Sequence, residues 1–173
     1  MGCSFYSAST HKWLMGPFEN GVLYVNHQNT QKLWPGVIAA GWKESKAIDE
    51  NICTLGQRNE STTAALPDIL KFHSTVGKEM VYNRVVELNT YLKNQIKTKL
   101  PQAKFITPLS PELSGGIVIV DLPGKDAVEI FQKLYTDYGI AAAPSGGIRF
   151  SPHIYNTKAD LDKIINALVA LAA

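Results

Sequence analysis

The stretch that decides the fold of this chain is Ser7-Ala-Ser-Thr-His-Lys-Trp13, which is followed by Gly16-Pro17 and the apolar run Gly21-Val-Leu-Tyr-Val25. Its lysine, Lys12, lies among hydroxyl side chains and an imidazole, just before a strand that the pattern predicts to be buried. Hydroxyl and imidazole donors can hold a phosphate, and apolar neighbours can keep an amine desolvated. A lysine that forms a Schiff base with a phosphorylated aldehyde requires both the phosphate-binding donors and the desolvated amine. Taken alone, the stretch also fits an ordinary solvated lysine.

Composition places the chain among globular proteins and argues against two classes of partner. It has 173 residues, 45% of them hydrophobic, and a formal net charge of +2. So small a net charge gives no reason to expect a nucleic-acid or membrane-surface partner. Two cysteines give neither a disulfide framework nor metal-ligand spacing, and they fit a reducing compartment. We therefore expect a cytoplasmic protein without a metal.

The carboxyl-terminal part, residues 101–173, predicts a small α/β domain. Residues 114–122 form a β-branched run bounded by glycines and a proline, and residues 125–138 have helical spacing up to Gly139. Residues 140–143 and 148–151 flank the turn 144–147, and Thr157 with Asp160 resembles a capping box that opens a final helix. The order strand, helix, strand, strand, helix indicates a layered α/β unit.

One long linking helix is predicted within residues 61–100. Apolar residues recur every three to four positions from Ile69 to Ile96, and Pro101 stops the pattern. The short basic stretch from Lys93 to Lys99 fits the solvated end of this helix.

The amino-terminal part, residues 1–60, contains one convincing strand, Val22 to Val25. It is apolar on both faces, which is typical of a central strand in a covered parallel sheet. No second strand is evident nearby to pair with it. Because a lone two-faced strand leaves backbone groups unpaired, we expect residues 1–60 to be the tail of a larger domain whose amino-terminal half is missing.

Three blocks resemble the class V aminotransferase family of pyridoxal-phosphate (PLP) enzymes, in the branch of isopenicillin N epimerase and selenocysteine lyase-like proteins. The blocks occur in the family order. They are Ser9-Thr-His-Lys-Trp-Leu-Met-Gly-Pro17 with Gly21-Val-Leu-Tyr-Val25, then Gly56-Gln-Arg-Asn59 with Ser61-Thr-Thr-Ala-Ala65, and last Ile148-Arg-Phe-Ser-Pro-His-Ile-Tyr-Asn-Thr157. The resemblance implies an α/β fold, the carboxyl-terminal portion of a fold-type-I PLP-dependent transferase. That portion comprises the end of the large-domain sheet, a linking helix and the small domain.

The resemblance also implies residue roles. Lys12 matches the lysine that forms the internal aldimine with PLP and later transfers protons at the substrate α-carbon. Ser9 and His11 match positions that hydrogen-bond the cofactor phosphate, although Ser9 could equally be a structural cap. Arg149 matches the arginine that binds the substrate carboxylate through two parallel hydrogen bonds, and its alternative is a surface charge on an edge strand.

Two differences between this chain and members of the family narrow the expected residue roles and the expected chemistry. The family usually has threonine after the glycine at position 56, where it reaches the phosphate of the neighbouring subunit's cofactor. Gln57 stands there in this chain, with Arg58 beside it. Cysteine desulfurases of the family have a nucleophilic cysteine shortly before the substrate arginine, whereas this chain has no cysteine after Cys53. Persulfide chemistry is therefore disfavoured.

The resemblance implies a fragment of a PLP-dependent enzyme that is aminotransferase-like and acts on an amino acid or amine. The alternatives are an epimerase, a C–S or C–Se lyase, or a non-catalytic relic that acts as an interaction fragment. Family members are typically homodimers, and a separately encoded amino-terminal half is a further expected partner. Because the stacking and phosphate-binding elements of the family's first half are not visible, we expect the isolated chain to bind PLP weakly or not at all, and not to turn over.

Overall fold

The computed structural model describes residues 2–40, 42, 47–53 and 55–172. Its contacts divide the chain into two compact units, Met1–Thr75 and Val76–Ala173, called here the first and second units. Both mix helices with antiparallel strands. The expected roles of residues 1–60, 61–100 and 101–173 stay a prediction, because this division does not test them.

The first unit is built on a β-hairpin. Strand β1 (Phe5–Ser9) pairs antiparallel with β2 (Gly21–Val25), with Phe5 opposite Val25 and Ser9 opposite Gly21. The expectation that the second strand has no partner is therefore wrong. The pairing residues Phe-Tyr-Ser-Ala-Ser are too short and too polar to indicate a strand by themselves.

Short helical segments complete the first unit. A 3-10 helix (His27–Lys32) follows the hairpin, and Asn26 caps it by accepting a hydrogen bond from the Gln28 N–H. Helices α1 (Ile48–Cys53), α2 (Glu60–Ala64) and α3 (Leu66–Val76) come next.

The single long helix predicted from Ile69 to Ile96 is two helices. Helix α3 ends at Val76, and α4 runs from Lys78 to Lys99. Gly77 between them has φ 88° and ψ 132°, a backbone conformation that glycine adopts without strain and that interrupts a helix. The apolar spacing continues across the break, which is why the sequence pattern did not show it.

The second unit contains a four-stranded antiparallel sheet with the order β3-β4-β6-β5. Its strands are β3 (Lys104–Phe105), β4 (Val118–Asp121), β5 (Ala143–Pro144) and β6 (Ile148–Phe150). The strands predicted at 114–122 and 148–151 are present but shorter than expected. Of the strand predicted at 140–143, Ala143 alone lies in β5, which extends to Pro144 in the predicted turn. Sequence reasoning missed β3, which is only two residues long.

Helices α5 (Ala127–Tyr138) and α6 (Lys158–Ala172) match their predictions closely. Asp126 caps α5, and Gly139 ends it in the left-handed conformation with φ 66°. The capping box is also present, because the Thr157 N–H donates to Asp160 at 2.8 Å and the Asp160 N–H donates to the Thr157 hydroxyl at 3.2 Å.

The core of the second unit lies between this sheet and its helices. The buried apolar residues come from α4, β4, α5, β6 and α6, and from Leu100 and Leu122 directly after α4 and β4. The largest fully buried ones are Phe150, Leu88, Leu92, Ile96, Leu134, Ile148, Leu161, Ile165 and Leu168. No helix among the described residues has the length and hydropathy that crossing a bilayer requires.

Candidate active site

The residues Thr10–Asn20, called here the lysine loop, connect β1 to β2 and carry Lys12 at the tip of the hairpin. Three backbone hydrogen bonds close the loop. The Thr10 N–H donates to the Asn20 carbonyl at 3.1 Å, the Gly16 N–H to the Thr10 carbonyl at 2.7 Å, and the Met15 N–H to the Lys12 carbonyl at 2.9 Å. The last of these places Lys12 at the first position of a tight turn.

The structure brings three of the predicted site residues together at this loop. Ser9 ends β1 and is exposed, Lys12 is exposed, and His11 is half-buried between them. The His11 ring stacks on Phe18 with 5.6 Å between ring centroids. Its Nδ1 is buried and has no hydrogen-bond partner among the described residues, and the same is true of the hydroxyl of Thr10.

Lys12 is not desolvated by its neighbours, contrary to the expectation from the sequence. The next residue, Trp13, is 39% exposed, and the apolar residues of the hairpin are exposed as well: Phe5, Tyr6, Val22, Leu23 and Tyr24. The strand that was expected to be buried, Val22 to Val25, thus lies largely at the surface of the first unit. The sequence pattern indicates which side chains suit burial, but it does not show what covers them.

Two side-chain hydrogen bonds fix the lysine loop to neighbouring helices. The Asn20 amide donates from Nδ2 to the carbonyl of Thr62 in α2 at 2.7 Å, and His73 of α3 donates from Nε2 to the carbonyl of Leu14 at 3.1 Å. Sequence reasoning missed both anchors. The Asn20-Gly21 dipeptide, a strong turn signal, could have identified the first.

The end of the lysine loop faces an open cleft of about 840 Å³ in the first unit. Glu19, Asn20 and Gly21 line one side, and Arg58 and Asn59 are among the residues that line the rest. The cleft thus brings the second sequence block beside the first. Its charged lining residues are Glu19, Arg58 and Glu60, so the guanidinium is the one cation among the lining residues that the structure describes.

Gln57 is exposed and adjoins this cleft, which its neighbours Gly56 and Arg58 line. Gly56 has φ 83°, which lets the chain turn there at little cost. Asn59 then caps α2 by accepting a hydrogen bond from the Ser61 N–H at 3.2 Å. The block is therefore a turn followed by a capped helix, and it presents Gln57 and Arg58 to solvent.

Arg149, the remaining predicted site residue, lies on β6 in the second unit. It is half-buried, and it pairs with Ile119 of β4 on one side and Ala143 of β5 on the other. Because β6 is an inner strand of the sheet, the alternative of an edge-strand charge is wrong. Ile148 and Phe150 are buried, so Arg149 lies on the opposite face of the sheet from the core. Within the described part of the chain its guanidinium forms no salt bridge.

A second cation of this unit, Lys93, is buried and not solvated as the sequence suggested. Lys93 is only 3% exposed, and its amine donates hydrogen bonds to the Pro108 carbonyl at 2.7 Å and to the Ser114 hydroxyl at 2.6 Å. Burial lowers the pKa of the Lys93 amine. The contacts fasten the segment that precedes β4 to α4, which is a structural role.

Comparison with known proteins places this geometry in a family. A family model described as Aminotransferase class-V matches residues 1–164. Isopenicillin N epimerase of Streptomyces clavuligerus is 31% identical over 189 residues, covering 98% of this chain and 47% of that protein. The probable hercynylcysteine sulfoxide lyase of Mycobacterium tuberculosis (strain CDC 1551 / Oshkosh) is 25% identical, covering 100% of this chain and 46% of that protein. The chain spans about half the length of these curated relatives.

Solved structures agree on the fold. The apo cysteine desulfurase of Thermococcus onnurineus NA1 matches with a TM-score of 0.85 at 19% identity, over 98% of this chain and 47% of that chain. The alanine–glyoxylate aminotransferase of Nostoc sp. matches with a TM-score of 0.75 at 16% identity, over 99% of this chain and 48% of that chain. The expected fold, a portion of a fold-type-I PLP-dependent transferase, is confirmed. The chain belongs to the aminotransferase class-V family.

Proposed function

We propose that this chain supplies the lysine and part of the phosphate-binding site of a PLP-dependent enzyme that transaminates an amino acid or amine. The observation that carries the proposal is the closed lysine loop, which places His11 and Lys12 directly after Ser9 at the end of β1. Membership of a family of PLP enzymes supports the choice of cofactor.

The residues present fit such a cofactor. A phosphate dianion binds best where several hydrogen-bond donors gather, and the Ser9 hydroxyl and the His11 imidazole lie at one end of the hairpin. The Nδ1 of His11 is buried and has no hydrogen-bond partner within the described residues, and a cofactor phosphate would supply the missing partner. The exposed Lys12 amine is open to an aldehyde, and Gln57 and Arg58 offer further donors beside the cleft.

When bound, PLP supplies an electron sink for negative charge at the substrate α-carbon. The Lys12 amine would hold the cofactor aldehyde and, once released, would carry a proton to or from the α-carbon. Ser9 and His11 would bind the phosphate, with Gln57 as a contributor. Arg149, without a salt bridge among the described residues, would bind the substrate carboxylate with its two parallel N–H donors.

Epimerisation is the second candidate reaction, because isopenicillin N epimerase of Streptomyces clavuligerus is 31% identical to this chain. The relative that is named a probable sulfoxide lyase makes lysis of a C–S or C–Se bond a third outcome. All of these reactions need the same lysine, so they differ in their products and not in the residues proposed above. A non-catalytic relic would retain the loop without its reactivity.

The exposed apolar hairpin supports a second polypeptide as partner. Phe5, Leu23 and Tyr24 are between 43% and 54% exposed, and contiguous exposed apolar surface marks an interaction site. The proposed partner is a second copy of this chain or a separately encoded amino-terminal half, in the cytoplasm.

Borohydride trapping tests the proposal. The purified chain is mixed with PLP, reduced, digested and analysed by mass spectrometry for phosphopyridoxyl-lysine. We expect Lys12 to carry most of the label, because phosphate-binding donors beside it raise the local concentration of the cofactor. Reduction also traps a weakly bound cofactor, so the test does not depend on high affinity.

The variants Lys12→Arg and Lys71→Arg are the matched controls, because both residues are exposed in the first unit. Lys12→Arg should abolish the selective label, and Lys71→Arg should leave it unchanged. Labelling spread evenly over the lysines of the wild-type chain would contradict the proposal and favour the relic. With a labelled chain, formation of a keto acid, inversion of an L-amino acid or release of a thiol then distinguishes the three reactions.

A further inference from the structure

We infer that Gly16 is a positioning residue for Lys12: because it has no side chain, the lysine loop can close on the buried Thr10 and hold the Lys12 amine where it meets the cofactor aldehyde. The inference rests on the proposed function and adds to it a residue that touches neither cofactor nor substrate.

The approach of Gly16 to Thr10 leaves no room for a β-carbon. The Gly16 N–H donates to the Thr10 carbonyl at 2.7 Å. A Cβ built on Gly16 would lie 2.8 Å from the Thr10 hydroxyl oxygen, 2.9 Å from its carbonyl oxygen and 3.0 Å from its Cβ. Contacts this short are repulsive, so any other residue at position 16 must displace Thr10 or break the hydrogen bond.

Thr10 has little freedom to move away. Thr10 is 1% exposed, and its N–H donates a hydrogen bond to the Asn20 carbonyl. The Asn20 side chain in turn donates a hydrogen bond to the Thr62 carbonyl of α2. A substitution at Gly16 therefore strains the loop itself and not a flexible side chain. Lys12 lies between the two residues in contact, so a displaced loop displaces its amine.

Two further features confine Lys12 within the closed loop. The Met15 N–H donates to the Lys12 carbonyl, and Met15 adopts φ 60°, a conformation that a non-glycine residue holds only where its surroundings impose it. Opening the contact between Gly16 and Thr10 removes the restraint on this turn. A displacement on the order of 1 Å can lower the rate of a positioned reaction by about 100-fold.

The test compares Gly16→Ala with Gly36→Ala in the full chain. Gly36 is also in the first unit, and a Cβ there would meet nothing within 4 Å. With PLP and borohydride, Gly16→Ala should lower the labelling rate of Lys12 by between about 10-fold and 100-fold relative to Lys71 in the same sample. Gly36→Ala should leave that ratio unchanged. A ratio for Gly16→Ala within about twofold of wild type would overturn the inference.

Trypsin cleavage after Lys12 tests loop closure without the cofactor. Gly16→Ala should speed this cut about tenfold while cleavage after Lys71 stays at its wild-type rate, because the loop opens locally. An unchanged rate after Lys12 would overturn the inference, and so would faster cleavage at both sites, which would make Gly16 a residue of general stability. If wild-type Lys12 is not labelled selectively but the cleavage result holds, the proposed function fails and loop closure stands.

A second variant, Thr10→Val, protects the test against poor folding of Gly16→Ala. Valine has nearly the shape of threonine and removes the buried hydroxyl that lacks a hydrogen-bond partner among the described residues. The closed loop should therefore survive, and both the Lys12 label and the resistance to trypsin should match wild type. Loss of the label with resistance intact would assign the Thr10 hydroxyl to ligand binding and overturn its assignment to loop packing.

Discussion

Each unit of this chain contains an apolar strand, but β4 of the second unit is buried in a core while β2 of the first unit is largely exposed. In the second unit, β4 alternates buried and half-buried residues, and Val118 and Val120 are fully buried in the core. In the first unit, β2 is just as apolar, yet Val22, Leu23 and Tyr24 are between 42% and 54% exposed. A β-branched or aromatic run thus indicates a strand, while its burial depends on which elements pack against it.

The difference extends to the whole of each unit. Among the described residues of the first unit, only Thr10 and Pro35 are buried, whereas the second unit contains the entire hydrophobic core cluster. Burial of apolar surface is the main source of stability, so the second unit should unfold at higher denaturant concentration than the first. The lysine proposed to be catalytic, Lys12, therefore lies in the unit that buries fewer of its own residues.

The largest expected effect comes from Leu92→Ala in the core of the second unit. Leu92 is fully buried, so truncation should lower the free energy of unfolding of this unit by about 2–5 kcal/mol. The three tryptophans, Trp13, Trp34 and Trp42, are all in the first unit and report on it alone. In urea titrations, the circular dichroism midpoint should fall while the tryptophan fluorescence midpoint stays.

Leu113→Ala is the matched control for this experiment, because Leu113 is in the same unit but 73% exposed. Its effect should be no more than about 0.5 kcal/mol. If Leu92→Ala shifted both midpoints together, the two units would be one cooperative structure and the comparison between them would fail.

A smaller loss is expected for Gly147→Ala, next to the strand that carries Arg149. A Cβ at this position would lie 2.7 Å from the Val120 carbonyl oxygen and 2.9 Å from Cδ1 of Ile106. Forcing these groups apart should cost about 1–3 kcal/mol, measured by urea denaturation of the second unit. Gly115→Ala, where a Cβ meets nothing within 4 Å, is the control. Equal effects of the two substitutions would show that the sheet accommodates the added methyl group.

The smallest effect concerns pH and the capping box of α6. The Thr157 backbone N–H, followed by its hydroxyl, lowers the pKa of Asp160. Because the folded pKa is below the unfolded value of about 3.9, the stabilisation is complete above that value and is lost as the pH falls through the folded pKa. In the Asp160→Asn variant, the stability of the second unit should therefore fall less steeply as the pH is lowered than it does in wild type.

Thermal melts by circular dichroism between neutral and acid pH measure this slope. Asp68→Asn, on exposed α3 in the first unit, is the control and should leave the slope of the second unit unchanged. An acid slope that Asp160→Asn leaves as steep as in wild type would show that the capping box does not govern the acid response.

Local chemistry made part of this structure predictable. The capping residues Asp126 and Thr157 and the terminator Gly139 act through hydrogen bonds and backbone angles within a few residues of themselves, so they can be identified without knowing the fold. The same holds for the grouping of Ser9, His11 and Lys12, since residues within three positions of one another cannot lie far apart. The family could be identified because its blocks are themselves local.

The rest depended on contacts between residues distant in sequence. The partner of β2 is a strand without a strand-like pattern, and only pairing revealed it. Lys93 is buried because Pro108 and Ser114 supply acceptors that its own helix does not contain. The sequence by itself determined the family and the ends of α5 and α6, since these follow from residues close together in the chain. Tertiary structure alone decided the exposure of Lys12 and the inner-strand position of Arg149, because burial and strand order are set by what packs alongside.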